Sequence, residues 1–218
     1  GNPKNTLTNI LDTKEFTLSV VTYDMVEQMN ICAANYEPNV DEFKKSGLSK
    51  YVSDSISVPG VAESPLILEC KLLQHIQFSD KPAGGNLLLG EVVYFHARKD
   101  IYNENGQIDP KKVDQVSRMG MNWYSRASQV IFDLPAPNFL PIGVDNLPQA
   151  VKESPHFTGR LLAKLAYIDS IPKHNVTTDL KEIYADSNCD KLLKACASFL
   201  ENNQIEEAWQ LLHLGKII

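Results

Sequence analysis

The chain has 218 residues, 43% hydrophobic and 22% charged, with 21 basic against 27 acidic side chains and a formal net charge of −6. This length can bury one ordinary core with a small appendage, and the acidic balance argues against broad nucleic-acid binding because no basic field gathers phosphates. No apolar run reaches the length of a membrane span.

Neither an initiator Met nor a signal-like run opens the sequence, so the native N-terminus, and on that ground the compartment, stays open. Residues 4–15 read as a helix leading into a strand at 16–21. Within residues 23–35, Met25, Met29, Cys32 and Ala33 recur at helical spacing, and Asn30 falls at the edge of that stripe, where a polar side chain can meet a ligand. Residues 37–48 read as a turn and a short helix, and 51–61 as extended chain.

The stretch "SPLILECKLLQHIQF" alternates, with Leu66, Leu68, Cys70 and Leu72 on one side and Glu69, Lys71 and His75 on the other. After the turn signal "DKPAGG", "NLLLGEVVYFHARKD" reads as a second long strand, apolar on both faces. Two long strands joined in this way predict an antiparallel pair in a sheet or barrel.

Asp109-Pro110 has the residue types that start a helix, and Val113, Val116, Gly120, Tyr124 and Ala127 share one face if that helix runs on. A mid-helix Gly costs about 1 kcal/mol relative to Ala, so Gly120 needs a reason. In an unbroken helix Arg118 and Arg126 point nearly opposite to Tyr124. A break at Gly120-Met121 instead lets Arg118, the loop amides and Tyr124 converge. Residues 133–143 are proline-rich and extended, a boundary or a strap. Beyond a helix at 157–169, Leu192, Leu193, Cys196, Phe199 and Leu200 form one amphipathic stripe, and Ile205, Ala208, Trp209 and Leu212 form another. The short "ENNQ" link makes the pair a helical hairpin.

Lys4-Asn5-Thr6 stands at a helix start, where unsatisfied N–H groups accept anions. A Lys and a Thr hydroxyl there suit a phosphate monoester, although capping by Asn5 or Thr6 with Lys4 in solvent accounts for the same residues. The histidines, His75, His96, His156, His174 and His213, show no helical metal spacing and no nucleophile motif; structural or surface roles are expected. Cys32, Cys70, Cys189 and Cys196 contain no CxxC pair. On one helix Cys189 and Cys196 would lie roughly 10 Å apart, too far to bridge. Reduced thiols in a cytoplasmic protein, without zinc, are the expectation. Tyr23, Tyr36 and the tryptophans do not interleave with basic residues as a nucleic-acid platform would.

Taken in order, "KNTLTNILDTKEFTLSVVT", "MNICAANYEPNVDEFKKSGL", "VAESPLILECKL", "NLLLGEVVYFHARKD" and "IDP…SRMGMNWYSRA" resemble the flavin reductase-like, FMN-binding split-barrel family. Its members are similar to flavoredoxins and to the reductase components of two-component monooxygenases. The resemblance implies a mainly β protein with helices: an antiparallel split β-barrel of the FMN-binding type over residues 1–134, then a Pro-rich strap and C-terminal helical extension over residues 135–218. It makes the barrel incomplete at its N-terminal end, because the strands that precede the Lys-x-Thr segment in the family are absent here. It further implies FMN as cofactor, NAD(P)H as electron donor, a flavin or an electron-acceptor protein as acceptor, and a homodimer without membrane or nucleic-acid partners.

By the same resemblance Lys4 and Thr6 belong to the phosphate cradle, with Asn5 as a backbone contributor. Asn30 and Ala33 lie beside the isoalloxazine or ribityl chain, and Arg118, Gly120 and Tyr124 close the site from the same or the other subunit. Asn86 stands where some reductases carry a His toward the nicotinamide, and Met121 replaces a small residue. Those two departures favour an alternative, an electron-transfer module that binds FMN without its own nicotinamide site. The absent strands motivate a third reading, a remnant without flavin activity. The extension is expected to act as a dimer strap or a lid.

Overall fold

The computed structural model describes residues 5–79, 84–173 and 175–218, and the chain divides into two compact units, Gly1–Asp133 and Leu134–Ile218. Helix α1 (Asn5–Thr13) turns through Lys14, at φ 61°, directly into strand β1 (Glu15–Ser19). A 3-10 turn at Tyr23–Met25 buries Met25 and feeds α2 (Val26–Cys32). The short α3 (Glu42–Ser46) has both of its ends written in the sequence. The Asp41 carboxylate accepts from Phe43 N–H at its start, and Gly47, at φ 71°, stops it in the left-handed conformation that Gly adopts without a Cβ penalty.

Strands β2 (Lys50–Tyr51) and β3 (Gly60–Val61) form a small antiparallel pair, and residues 53–58 bend between them. The long strands β4 (Leu66–Gln77) and β5 (Asn86–Ala97) pair antiparallel as the alternation predicts, and β1 adds to the other edge of β4, giving the order β1-β4-β5. Residues 84 and 85 of the "DKPAGG" turn are described, and the remaining four lie outside the described residues. The register shifts between Glu69 and Cys70 and between Leu72 and Gln74, so the alternation does not run unbroken along the strand.

One face of this sheet carries the row Leu18, Leu68 and Phe95 and the row Phe16, Cys70 and Val92. Phe16 reaches across β4 toward β5, where a Cβ on Gly90 would run into its ring carbon Cζ. Gly90 is therefore small because an aromatic ring occupies its place. The opposite face is the more deeply buried near the start of β4: Ile67 is 3% exposed and Glu69 not at all.

The helix begun at Asp109 lasts a single turn, α4 (Pro110–Val113), so it does not run on through Ala127. Asp114 at φ 50° ends it, because its backbone and side chain are needed elsewhere: its carbonyl accepts from Tyr23 N–H, and its carboxylate meets Arg126. The chain then folds back as a hairpin of β6 (Val116–Arg118) and β7 (Tyr124–Arg126), closed by α5 (Ala127–Val130). A Cβ on Gly120, at φ 96°, would meet nothing within 4 Å, so the reason for this Gly is backbone conformation and not close packing.

The second unit is helical: α6 (Gln149–Glu153), α7 (Gly159–Ala166), α8 (Thr178–Tyr184), α9 (Cys189–Glu201) and α10 (Ile205–Leu214). Thr158 and Asn188 cap α7 and α9 by accepting from Leu161 and Lys191 N–H. The two sequence stripes meet as the expected α9–α10 hairpin around Leu200, Leu211, Leu212 and Trp209, whose indole N–H donates to the Leu165 carbonyl. Cys196 lies inside this core, where burial pushes its thiol up to about 12, and all four cysteines are free. No helix among the described residues is long and apolar enough to cross a membrane.

Because Leu200 is fully buried in the hairpin core, Leu200→Ala is expected to cost about 2–5 kcal/mol. Gly90→Ala, which drives a methyl group into Phe16, is expected to cost about 1–3 kcal/mol. Urea unfolding checks both; midpoints equal to wild type would contradict these packing assignments.

Candidate functional site

The predicted site residues fall on two groups of elements. Asn5 and Thr6 open α1 and are exposed; Lys4 lies outside the described residues. Asn5 Nδ2 donates to the carbonyl of Tyr36 at 3.1 Å, and so ties the start of α1 to the segment that follows α2. Asn30, in the last turn of α2, and Ala33, its C-cap, are exposed. The structure thus ties the start of α1 to Tyr36, which lies beyond the end of α2, through one hydrogen bond across 31 residues of sequence.

The second group is the β6–β7 hairpin. The unbroken helix over residues 110–127 does not form, and the helix ends at Asp114 rather than at Gly120-Met121, which turn a hairpin in which Arg118 and Tyr124 are register partners. The Arg118 guanidinium donates from Nη1 to Tyr124 Oη at 3.4 Å, lies 5.7 Å from the Tyr124 ring centre, and donates from Nη2 to the Met121 carbonyl. Gly120 and Met121 make the turn with positive φ. Met119, Met121 and Trp123 are left exposed at the tip.

The base of this hairpin is latched. Arg126 Nε and Nη2 donate to both carboxylate oxygens of Asp114 at 2.6–3.0 Å, and the same guanidinium stacks 3.9 Å from the ring centre of Tyr23. Val116 N–H donates to the Val21 carbonyl. The hydrogen bonds from Arg126, with a further contribution from Ser128, hold Asp114 down to about 2.

Asn86 begins β5, and its Oδ1 lies 2.7 Å from His75 Nε2 across the strand pair, so its side chain is already engaged.

A third cluster was missed by sequence reasoning, which expected no constellation among the histidines. Glu69, on β4, accepts from the Asp54 and Ser55 amides at 2.8 and 2.7 Å and from His96 Nε2, on β5, at 2.5 Å. Asp54 Oδ2 lies 3.7 Å from the other ring nitrogen, Nδ1. Burial works against ionisation of Glu69, but His96 and the two amides outweigh it and hold the carboxyl below its usual range. The available signal was one acidic residue in the apolar strand run "LILEC" and one histidine in the apolar run "VVYFHA". Only the observed register, which sets Glu69 against Tyr94 and Ile67 against His96, brings them together.

A family model described as the flavin reductase like domain matches residues 1–126. The chain belongs to the flavin reductase-like family. Nitrilotriacetate monooxygenase component B of Bacillus cereus is 32% identical over 62% of this chain and 66% of its own, with a TM-score of 0.56. A flavin reductase-type protein with a split barrel domain from Shewanella frigidimarina is 27% identical over 61% and 65%, with a TM-score of 0.53. An uncharacterized protein of Aquifex aeolicus is 31% identical over 57% of this chain and 61% of its own length. The chain therefore spans less than two thirds of these relatives. Its likeness is to split-barrel folds, while the described residues form sheets and helices and no closed barrel.

The donor set suits the anionic, polar-edged flavin nucleotide that such a family handles. The start of α1 offers first-turn N–H groups and the Thr6 hydroxyl, and Asn30 offers an amide. Arg118 brings a guanidinium and Tyr124 a half-exposed ring.

The latch has a definite pH signature. Asp114 is depressed in the folded chain, so its pairing stabilises fully above the ordinary Asp value near 3.8 and is lost as pH falls toward about 2. Asp114→Asn is expected to unfold earlier than wild type at pH 7, with the gap closing between about 4 and about 2; thermal melts across that range test it, and a gap independent of pH would contradict the pairing.

Proposed function

We propose that the chain binds FMN and works as an NAD(P)H-dependent flavin oxidoreductase that delivers electrons to a flavin or to another acceptor. The observation that carries this reading is the family match through residues 1–126, which includes α1, α2 and the β6–β7 hairpin. When bound, the flavin supplies the acceptance of hydride from a reduced nicotinamide and its onward transfer. The protein's part is to hold and orient. Lys4, Thr6 and the first-turn amides of α1 grip the phosphate, with Asn5 fixing that helix start to Tyr36. Asn30 and Ala33 border the ring or ribityl chain, and Arg118, Gly120 and Tyr124 close over it. No acid or base is assigned, since hydride transfer between two bound rings depends first on positioning.

A homodimer is part of the proposal. The sheet face bearing Leu18, Val92 and Phe95 is about half exposed in the single chain and supports burial against a second copy. Four free thiols support a reducing, cytoplasmic setting. A second reading, an electron-transfer module without its own nicotinamide site, is favoured by Asn86, whose amide oxygen already faces His75.

Stopped-flow mixing of the FMN-loaded chain with NADH or NADPH separates the two. Bleaching of the flavin band supports the reductase, whereas flavin that stays oxidised with both donors but is reduced by a protein donor supports the module. Lys4→Glu with Thr6→Ala is expected to weaken FMN binding roughly 10- to 100-fold, the size of one or two charge-assisted hydrogen bonds. Unchanged affinity by fluorescence titration would remove the phosphate assignment.

A further inference from the structure

The Glu69–His96–Asp54 cluster has no part in the flavin reading and stands independently of it. A neutral imidazole offers one N–H and one lone pair. Glu69, fully buried, takes the N–H at Nε2, because a carboxylate facing a lone pair there would be an unpaired charge inside the fold. The Nδ1 lone pair is then left toward Asp54 Oδ2 at 3.7 Å, two acceptors with no proton between them.

The rings of Tyr51, on β2, and Tyr94, on β5, pack against the imidazole at 4.7 and 4.9 Å and fix its plane. The ionisable groups facing His96 are thus Glu69 from β4, Asp54 from the 53–58 segment and these two tyrosines. Among the described residues neither carboxylate pairs with a lysine or arginine. Asp54 is 61% exposed, so protons reach this side freely.

We propose that His96 is a pH-operated clasp: a proton taken up at Nδ1 turns its contact with Asp54 into an N–H···O hydrogen bond and closes residues 53–58 onto the β4–β5 sheet.

Nothing else holding that segment changes over the same interval. The Asp54 and Ser55 amides remain on Glu69, and Ser57 N–H and Oγ–H remain on Glu15. Both carboxyls are held below their usual range, Glu15 by Ser57 and Glu69 by His96 and the amides against burial, so both favour the ionised form that keeps these anchors. A proton added at His96 Nδ1 therefore tightens the segment. The anchors themselves are lost only lower, as pH falls through the depressed folded values of the two carboxyls.

Native-state amide exchange on the full chain, corrected for intrinsic rates and compared at pH 8 and pH 5.5, tests the clasp. The Ser55 amide is expected to gain protection on the order of tenfold relative to Leu72 in the β4 ladder, the worth of one charge-assisted hydrogen bond. Asp54→Ala, a change at an exposed side chain, and His96→Gln should each abolish the gain; ring 15N shifts at pH 8 should report the Nε2–H tautomer. Equal protection at both pH values, the same gain in Asp54→Ala, or an Nδ1–H tautomer would overturn the proposal. A gain produced at pH 8 by added Zn²⁺ with none on acidification would overturn it in favour of a divalent cation.

Discussion

The antiparallel ladder between β4 and β5, twelve residues on each strand, determines where the other parts of the first unit can go. It supplies the edge on which β1 pairs and, through β1, the point at which α1 ends. Its register also puts the fully buried Glu69 beside His96. A buried carboxylate is tolerable only when its oxygens are filled. The chain fills them by bending residues 53–58 inward, so that two consecutive amides point at the two oxygens. One electrostatic requirement in the sheet thereby shapes a loop that has no regular structure of its own.

A second constraint acts at the β6–β7 hairpin. Two short strands carry little stability by themselves, and the tip exposes Met119, Met121 and Trp123. Arg126 compensates at the base, where its fork fits the Asp114 carboxylate and its flat face covers Tyr23. This leaves Arg118 to fold over its own turn, as a cation displayed on a fixed frame. The proposed flavin site depends on that division of labour, with one arginine structural and the other presented.

The sequence was most legible where a local rule and the tertiary fold agree. Asp41 and Gly47 bound α3 as capping chemistry requires, and the stripes through Leu200 and Trp209 became the α9–α10 hairpin. Helix signals misled at Asp109-Pro110, because they report only how a helix begins. The Arg126–Asp114 pair and the bonds to Val21 and Tyr23 are long-range, and they claim the backbone after one turn. The Glu69–His96 pair was invisible for a related reason: each residue is unremarkable in its own strand, and only the pairing of β4 with β5 decides what faces what. Of the site residues, the approach of Arg118 to Tyr124 was one of two alternatives that Gly120 left open, and a hairpin turn at Gly120-Met121 realises it. The tie from Asn5 to Tyr36 had no sequence signal at all.

The central claim is that two separately held groups, the α1–α2 end and the hairpin, serve one flavin nucleotide. Titration of FMN into the isotope-labelled chain, followed by backbone amide shifts, tests this most directly. The account predicts saturating changes with a single affinity at Thr6, Asn30, Ala33, Arg118, Gly120 and Tyr124. Changes confined to one group, or centred on residues outside both, would contradict it.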